Sequence, residues 1–417
     1  MEIKRNDYLN RLISKEKNGM IKVVTGVRRC GKSYLLFNLF YDYLLSEGVP
    51  ESHIIGIALD DRSNKELRDP DRMLQYVKGE IKDDQTYYVM LDEVQLLDEF
   101  EDVLNSFLHI RNADVYVTGS NSRFLSSDVV TEFRGRGDEI RVYPLSFREF
   151  TSVYDGTIDE AWDDYFIYGG LPLILSRRSA EEKAEYLNTL FQKVYLSDIV
   201  DRHKIRNKDE LDELVNVLSS AVGSLTNPSK LARTFKSAKN KSISDKTLTS
   251  YIGYLIDAFL ISKSVRYDVK GKKYIGTPSK YYFEDVGLRN ARLNFRQTEE
   301  NHLMENIVYN ELRIRGFRVD VGVVEYHMPN KEGKRNKRQL EVDFIATRGS
   351  QKYYVQSAFS MNDPDKAIQE EKPLTSIGDS FKKIIVVRDN IKARRNEDGV
   401  MTIGIFNFLL AENSLDF

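Results

Sequence analysis

The sequence predicts a multidomain α/β protein. A parallel sheet with crossover helices is followed by a helical segment, a three-helix module closed by a hairpin, and a second mixed α/β module. Three observations predict this. The chain has 417 residues, enough for two or three domains with real cores. Hydrophobic residues at 41% against charged residues at 30% describe a globular chain and exclude a disordered, collagen-like or membrane-spanning class. The apolar pattern also changes along the chain, from short β-rich runs alternating with helical stretches to mostly helical spacing after Pro144.

The first candidate strands are Ile21–Thr25, His53–Ala58, Tyr87–Leu91, Val115–Gly119 and Glu139–Tyr143. Their near-continuous apolar character suits strands buried on both faces. Phe100, Val103, Leu104, Phe107 and Leu108 share one helical face between the third and fourth. Residues 145–205 read as helix, broken at Tyr168-Gly169-Gly170-Leu171-Pro172. Leu211, Leu214, Val215, Leu218 and Val222 mark an amphipathic helix, Asn227-Pro228 starts a second, and Ser244 caps a third. Two β-rich runs follow, Leu260–Tyr267 and Lys273–Phe283, and three helices plus a hairpin is the layout of a winged helix-turn-helix. The last stretch predicts a helix over 301–315, strands near 317–326, 340–347 and 353–359, a helix after Pro364 and a strand at 383–387.

No run of 18 apolar residues occurs, and Met1-Glu2-Ile3-Lys4-Arg5 leads into mixed polar sequence, so neither export nor a membrane partner is expected. A single cysteine, Cys30, excludes an internal disulfide and a cysteine-built zinc site, and it fits a cytoplasmic location. The net charge of −2 is unevenly spread: residues 228–280 hold twelve Lys/Arg against three acids. A near-neutral balance thus hides one basic module, the place to look for a polyanion.

Gly26-Val27-Arg28-Arg29-Cys30-Gly31-Lys32-Ser33 has the full phosphate-loop spacing, with a strand before it and an amphipathic helix (Leu35, Leu36, Leu39, Phe40) after it, and these eight residues with Tyr34 are the expected nucleotide contacts. The glycines let successive N–H groups face one anion, and the helix start adds its positive end. In this pattern Lys32 reaches the β/γ-phosphates and the Ser33 hydroxyl ligates Mg²⁺. Tyr87-Tyr88-Val89-Met90-Leu91-Asp92-Glu93 is an apolar strand ending in two acids. Asp92 suits the metal's water shell and Glu93 suits polarising the attacking water; the bland alternative is that both cap the next helix. Ser120 and Asn121, leaving the strand at Thr118-Gly119, are candidates for a polar group near the γ-phosphate, or form a plain turn. Arg134 and Arg136 either supply charge to the γ-phosphate, in cis or from another subunit, or form a solvated basic turn. ATP and Mg²⁺ are the expected ligands.

These motifs, with Leu91-Asp92-Glu93-Val94-Gln95, Gly119-Ser120-Asn121-Ser122, Pro144-Leu145-Ser146-Phe147-Arg148-Glu149-Phe150, Tyr168-Gly169-Gly170-Leu171-Pro172, Asp198-Ile199 and Glu341-Val342-Asp343-Phe344, run the length of the chain. In their order the sequence resembles the prokaryotic family that joins an AAA+-type ATPase domain to a C-terminal DUF4143 domain. The resemblance implies an additional-strand P-loop NTPase (AAA+/ASCE) related to Cdc6/Orc-like and archaeal switch ATPases, and adenine as the base. It also implies a helical lid, a winged helix and a nuclease-like end. The expected domains are 1–150 (ATPase), 151–205 (lid), 206–283 (winged helix-turn-helix) and 284–417 (DUF4143, nuclease-like).

In the winged helix, Lys246 on the third helix and Lys270, Lys272 and Lys273 in the hairpin turn are placed to meet DNA phosphates. Docking on the ATPase domain or on partner proteins is the alternative, and a homo-oligomer is a separate expectation for the chain. Glu305, Asp343 and the strand at 353–359 resemble the PD-(D/E)XK nuclease arrangement, but its last element is Gln356-Ser357-Ala358. Losing a carboxylate and the following lysine argues against phosphodiester hydrolysis. The basic run from Lys331 to Arg338 reads as a solvated loop or a nucleic-acid contact. The expected function is a Mg²⁺-dependent ATPase coupling nucleotide state to domain rearrangement. The alternatives are a slow-turnover, nucleotide-gated DNA-binding or regulatory switch and, more weakly, an ATP-dependent nuclease.

Overall fold

The structure, a computed structural model, describes residues 3–119, 135–239, 243–296, 299–329, 335–361 and 363–417. The chain divides into two units, Met1–Pro144 with Asp257–Phe259, and Leu145–Ile256 with Leu260–Phe417.

The first unit is built on a five-stranded sheet of order β2-β3-β4-β1-β5. Its strands are β1 (Ile21–Gly26), β2 (Ile54–Ala58), β3 (Tyr87–Asp92), β4 (Ala113–Thr118) and β5 (Gly137–Val142), and every pairing is parallel. β1 and β3 are buried at every position, as apolar strands covered on both faces must be. β4 lies between β1 and β3, so the strand feeding the phosphate loop and the strand ending in the acids are separated by one neighbour. Helices α1 (Asn6–Ile13), α2 (opening at Lys32–Tyr34 and continuing through Ser46), α3 (Pro70–Glu80) and α4 (Phe100–Phe107) accompany the sheet. α4 buries Phe100, Val103, Leu104 and Phe107 in a core with Val23, Val89, Leu91 and Val117. Each of the five expected strands forms, within two residues at either end.

The second unit opens with α5 (Phe147–Thr151) and α6 (Ile158–Tyr168), both started by capping boxes, at Ser146/Glu149 and Thr157/Glu160. The helical path continues through α7 (Ala180–Thr189) and α8 (Ser197–Arg202). The break at Tyr168-Gly169-Gly170 has a packing reason. Gly169 has φ +76°, and a Cβ there would lie 2.2 Å from Oδ1 of Asp285. The Asp285 carboxylate in turn accepts the N–H of Gly170 at 2.8 Å and that of Leu288 at 3.0 Å. Next come α9 (Lys208–Ser220), α10 (Pro228–Lys239) and α11 (Asp245–Asp257). The Ser244 hydroxyl accepts the Thr247 N–H at 3.0 Å, so the expected N-cap is present. α12 (Val286–Arg292), which the sequence reading missed, is buried at all seven residues.

An eight-stranded sheet follows, of order β12-β13-β11-β10-β9-β8-β6-β7. The hairpin β6 (Ile261–Asp268) and β7 (Lys273–Phe283) joins it through a short parallel pairing of β6 with β8 (Arg318–Pro329). The segments expected as separate domains at 206–283 and 284–417 therefore contribute strands to one sheet. α13 (Glu300–Ile314) precedes β8; then come β9 (Arg335–Arg348), β10 (Gln351–Ala358), α14 (Pro364–Thr375) and β11 (Lys382–Val387). β12 (Arg394–Arg395), β13 (Val400–Gly404) and α15 (Ile405–Leu410) complete the chain, beyond the expected elements.

Candidate functional site

β1 delivers the chain into the loop at Gly26, whose φ of +138° brings it against β5. A Cβ there would sit 1.9 Å from the Val142 carbonyl oxygen, so glycine is the side chain this approach admits. Val27 and Cys30 are buried, Arg28 is half-buried, and Arg29 is exposed with φ +66°. Gly31 precedes the first turn of α2, in which Lys32, Ser33 and Tyr34 are the opening residues. Lys32 is buried, and its Nζ donates to the carbonyls of Gly26 at 3.2 Å and Val27 at 3.1 Å. The ammonium is thus folded over the loop.

The acids arrive from β3. The Ser33 hydroxyl donates to Oδ1 of Asp92 at 3.0 Å, bringing the two expected metal-site residues together from 59 positions apart. Thr118, at the end of β4, donates its hydroxyl to the same Oδ1 and accepts the Glu93 backbone N–H at 3.1 Å. Glu93 stands in the left-handed region (φ +49°), and its carboxylate accepts the side-chain N–H of Gln95. Burial raises the Asp92 carboxyl above its ordinary range; the hydroxyls of Thr118 and Ser33 oppose the shift, while Glu93 and Asp60 add to it. A cation placed there relieves that burial cost. The Ser33–Asp92 pair, one hydroxyl and one carboxylate side by side, fits a hard divalent ion.

Of the other expected site residues, Ser120 and Asn121, with Arg134, lie outside the described residues. Arg136 is exposed, and its carbonyl accepts the N–H of Ile21, at the start of β1. The phosphate loop leaves the other end of that strand, roughly 17 Å away at about 3.3 Å per residue. Within one chain the structure does not bring Arg136 to the loop. Lys246 on α11 and Lys270, Lys272 and Lys273 at the β6–β7 turn are exposed, and Lys270 Nζ donates to the Glu325 carbonyl at 2.8 Å.

The second unit holds a buried ion cluster. Lys280, on β7, places Nζ 2.8 Å from Glu305, 2.9 Å from Glu341 and 3.4 Å from Asp343. The Tyr282 hydroxyl also donates to Glu305, at 2.7 Å. Burial alone would lower the Lys280 ammonium's pKa, but the three carboxylates overturn that and hold it well above its ordinary value. Burial pushes Glu305 up to about 7 even so. The Gln356 side chain accepts the Asp343 N–H at 3.2 Å and donates to Glu370 at 3.0 Å. Among the described residues no group of three or more His, Cys, Asp or Glu side chains is arranged to hold a metal. Lys280 Nζ takes the place among the three carboxylates that a metal would need and is their counter-cation.

Sequence reasoning missed Thr118, Lys280 and Asp285 as organising residues. Thr118 stands two positions before Ser120, and a threonine closing an apolar strand beside an acid pair was its available signal. Lys280 carried none.

A parallel sheet bearing this loop, with a serine and an acid meeting beneath it, defines an AAA-type P-loop protein. Residues 18–151 match the AAA domain family, and residues 159–299 match a domain of unknown function, DUF8612. DUF8612 thus covers 159–299, where the helical lid and the winged helix were expected, and the expected DUF4143 over 284–417 is not shown. The chain is 32% identical over 416 residues to an uncharacterized protein of Haemophilus influenzae, covering 98% of each. It is also 28% identical over 402 residues to the uncharacterized protein MJ1544 of Methanocaldococcus jannaschii, covering 92% of this chain and 84% of that one. The chain belongs to the family of the Haemophilus protein, and in this member an AAA domain precedes DUF8612. Among solved structures, Aeropyrum pernix ORC1 in complex with DNA aligns at 12% identity and a TM-score of 0.31, covering 72% of this chain and 93% of that one. Protein VC1899 of Vibrio cholerae aligns at 14% and 0.23, covering 88% and 98%. Likenesses of that size carry no functional argument. No helix among the described residues is long and apolar enough to cross a membrane.

Proposed function

We propose that this protein is a Mg²⁺-dependent ATPase that passes its nucleotide state to the DUF8612 part of the chain. The observation that carries the reading is the meeting of Ser33, Asp92 and Thr118 beneath a lysine-capped phosphate loop. Ser33 and Asp92 would hold the magnesium, which supplies charge neutralisation of the phosphates when bound. Lys32 exchanges the carbonyls of Gly26 and Val27 for β/γ-phosphate oxygens. Loop amides and the start of α2 bind the remaining phosphate charge. Glu93, its backbone fixed on Thr118, orients a water for attack on the γ-phosphorus; the P–O bond to the β-phosphate breaks, and the water's proton leaves toward the Glu93 carboxylate. Adenine as the base rests on the family resemblance. Arg136 serves the γ-phosphate only from a second copy of the chain.

Phosphate release and Mg·ATP calorimetry test the scheme. Lys32→Ala should abolish binding, and Glu93→Gln should bind ATP without hydrolysing it. Wild-type turnover in both variants would refute the roles given to these residues.

α9, α10 and α11 with the β6–β7 hairpin support a winged-helix reading, and exposed Lys246, Lys270, Lys272 and Lys273 make duplex DNA the partner it suits. Changing Lys270, Lys272 and Lys273 together to Glu should weaken duplex binding and flatten its salt dependence; an unchanged salt slope refutes it. A switch with very slow turnover differs from an ATPase in its phosphate release with and without DNA. Nuclease activity is not proposed. Lys280 supplies the ammonium that Ala358 lacks, yet it neutralises the acids rather than leaving them for a metal. Magnesium-dependent cleavage of plasmid DNA, lost in Asp343→Asn, would reverse that judgement.

A further inference from the structure

The phosphate loop is held from behind by a residue outside the segment that matches the AAA domain. Arg5, ahead of α1, is 3% exposed. Its Nη1 donates to the Cys30 carbonyl at 2.9 Å and its Nη2 to the Tyr143 carbonyl at 2.8 Å. The guanidinium carbon lies 4.5 Å from the centre of the Tyr8 ring, and the Tyr8 hydroxyl accepts the Tyr143 N–H at 3.3 Å. We infer that Arg5 is a positioning residue of the nucleotide site: it aims the loop's amides and so sets the affinity for the triphosphate. The inference rests on the nucleotide reading above and extends that site to the start of the chain.

Peptide geometry links this clamp to the phosphate site. In a planar trans peptide the C=O and the following N–H point in opposite directions. Fixing the Cys30 oxygen on Arg5 therefore turns the Gly31 N–H the other way. Gly31 sits directly before Lys32, where a phosphate loop has to present its donors. A cation on that carbonyl also polarises the peptide, which makes the N–H a stronger donor. The second half of the fork fixes the loop's position. Tyr143 follows Val142, whose carbonyl accepts the Cys30 thiol at 3.4 Å and lies against Gly26. One guanidinium thus clamps the loop to the end of β5 across 25 and 138 positions of sequence. A lysine carries the charge but not the planar fork that serves two carbonyls on two elements.

A merely structural arginine would change melting behaviour and leave the affinity of folded protein alone. Arg11 separates the cases, since its guanidinium lies over the same Tyr8 ring at 5.2 Å. Mg·ATP is titrated calorimetrically into full-length wild type, Arg5→Met, Arg5→Lys and Arg11→Met, each well below its melting temperature. Arg5→Gln replaces Arg5→Met should that variant not fold. The expected result is a dissociation constant raised by about tenfold or more in the Arg5 variants, the order of one charge-assisted hydrogen bond, with Arg11→Met close to wild type. In turnover the loss should fall more on KM than on kcat. Wild-type affinity in Arg5→Met, or its full recovery in Arg5→Lys, overturns the inference while leaving the nucleotide reading standing. No binding by wild type overturns both.

Discussion

Lys280→Met keeps most of the side-chain volume and removes the ammonium around which Glu305, Glu341 and Asp343 gather. The side chains of Glu305 and Asp343 are about nine-tenths buried, whereas Glu341 is about one-third exposed. The first two therefore carry the cost, because water screens the third. Stripping one partner from a buried ion cluster costs about 3–5 kcal/mol. The lower end applies here, since Glu305, already near 7, can take up a proton and shed its charge. That gives the effect a pH signature. The folded-state pKa of Glu305 lies above its unfolded value, and losing Lys280 lifts it further. Protonation then removes the unpaired charge, so the deficit against wild type should be largest near pH 8 and shrink toward pH 5. Native-state hydrogen exchange reads the local free energy without requiring the whole chain to unfold in one step. Amides of Glu300–Ile314 and of β9 around Asp343 should exchange roughly a hundredfold faster than wild type at pH 8, corresponding to about 3 kcal/mol. An acceleration below about fivefold, or one that grows on acidification, would refute the counter-cation account.

Three further outcomes are expected. Thr118→Val removes the hydroxyl that ties Asp92 to the Glu93 backbone, and should lower kcat by about tenfold or more while changing ATP affinity less; steady-state phosphate release over a range of ATP concentrations measures both. Gly26→Ala drives a methyl into the Val142 carbonyl at a positive φ and should destabilise the first unit by about 3 kcal/mol or more, visible as loss of folded protein in a thermal melt. Asp285, which burial raises to about 6, favours the folded state when protonated. That benefit is complete below about pH 4 and lost as pH rises through about 6, and is at most about 3 kcal/mol. Asp285→Asn should flatten the wild-type slope of stability over pH 4–6 in urea melts, and an identical slope in both proteins would count against it.

Much of the first unit was legible because its signals are local. An apolar run of five residues reads as a buried strand wherever it goes, and Gly26 to Ser33 fixes a loop by its own spacing. The Ser244 cap and the helical face at 100–108 are short-range patterns of the same kind. The second unit was less legible. β13 and α15 form from a largely apolar stretch at 400–410 that lies beyond the expected elements, and α12 is buried all round, so no amphipathic stripe marks it. A hairpin at 261–283 was plain from turn chemistry, but its merger with β8 depends on a partner some 55 residues away. The arginine in the β5 turn shows the limit from the other side. Proximity in sequence to a phosphate-site motif suggested a role, and strand direction placed it at the opposite end of the sheet.

Sequence alone determined that the N-terminal unit carries a phosphate loop and an acid pair, since each is a contiguous run whose chemistry follows from its own residues. Only the tertiary structure decided what those residues rest on. Arg5 reaches the back of the loop, Thr118 bridges the acids, and Lys280 settles among carboxylates from a helix and another strand. Side chains so far apart in the chain meet through sheet order and register, which arise from burial over whole faces and leave no trace in any short window of sequence.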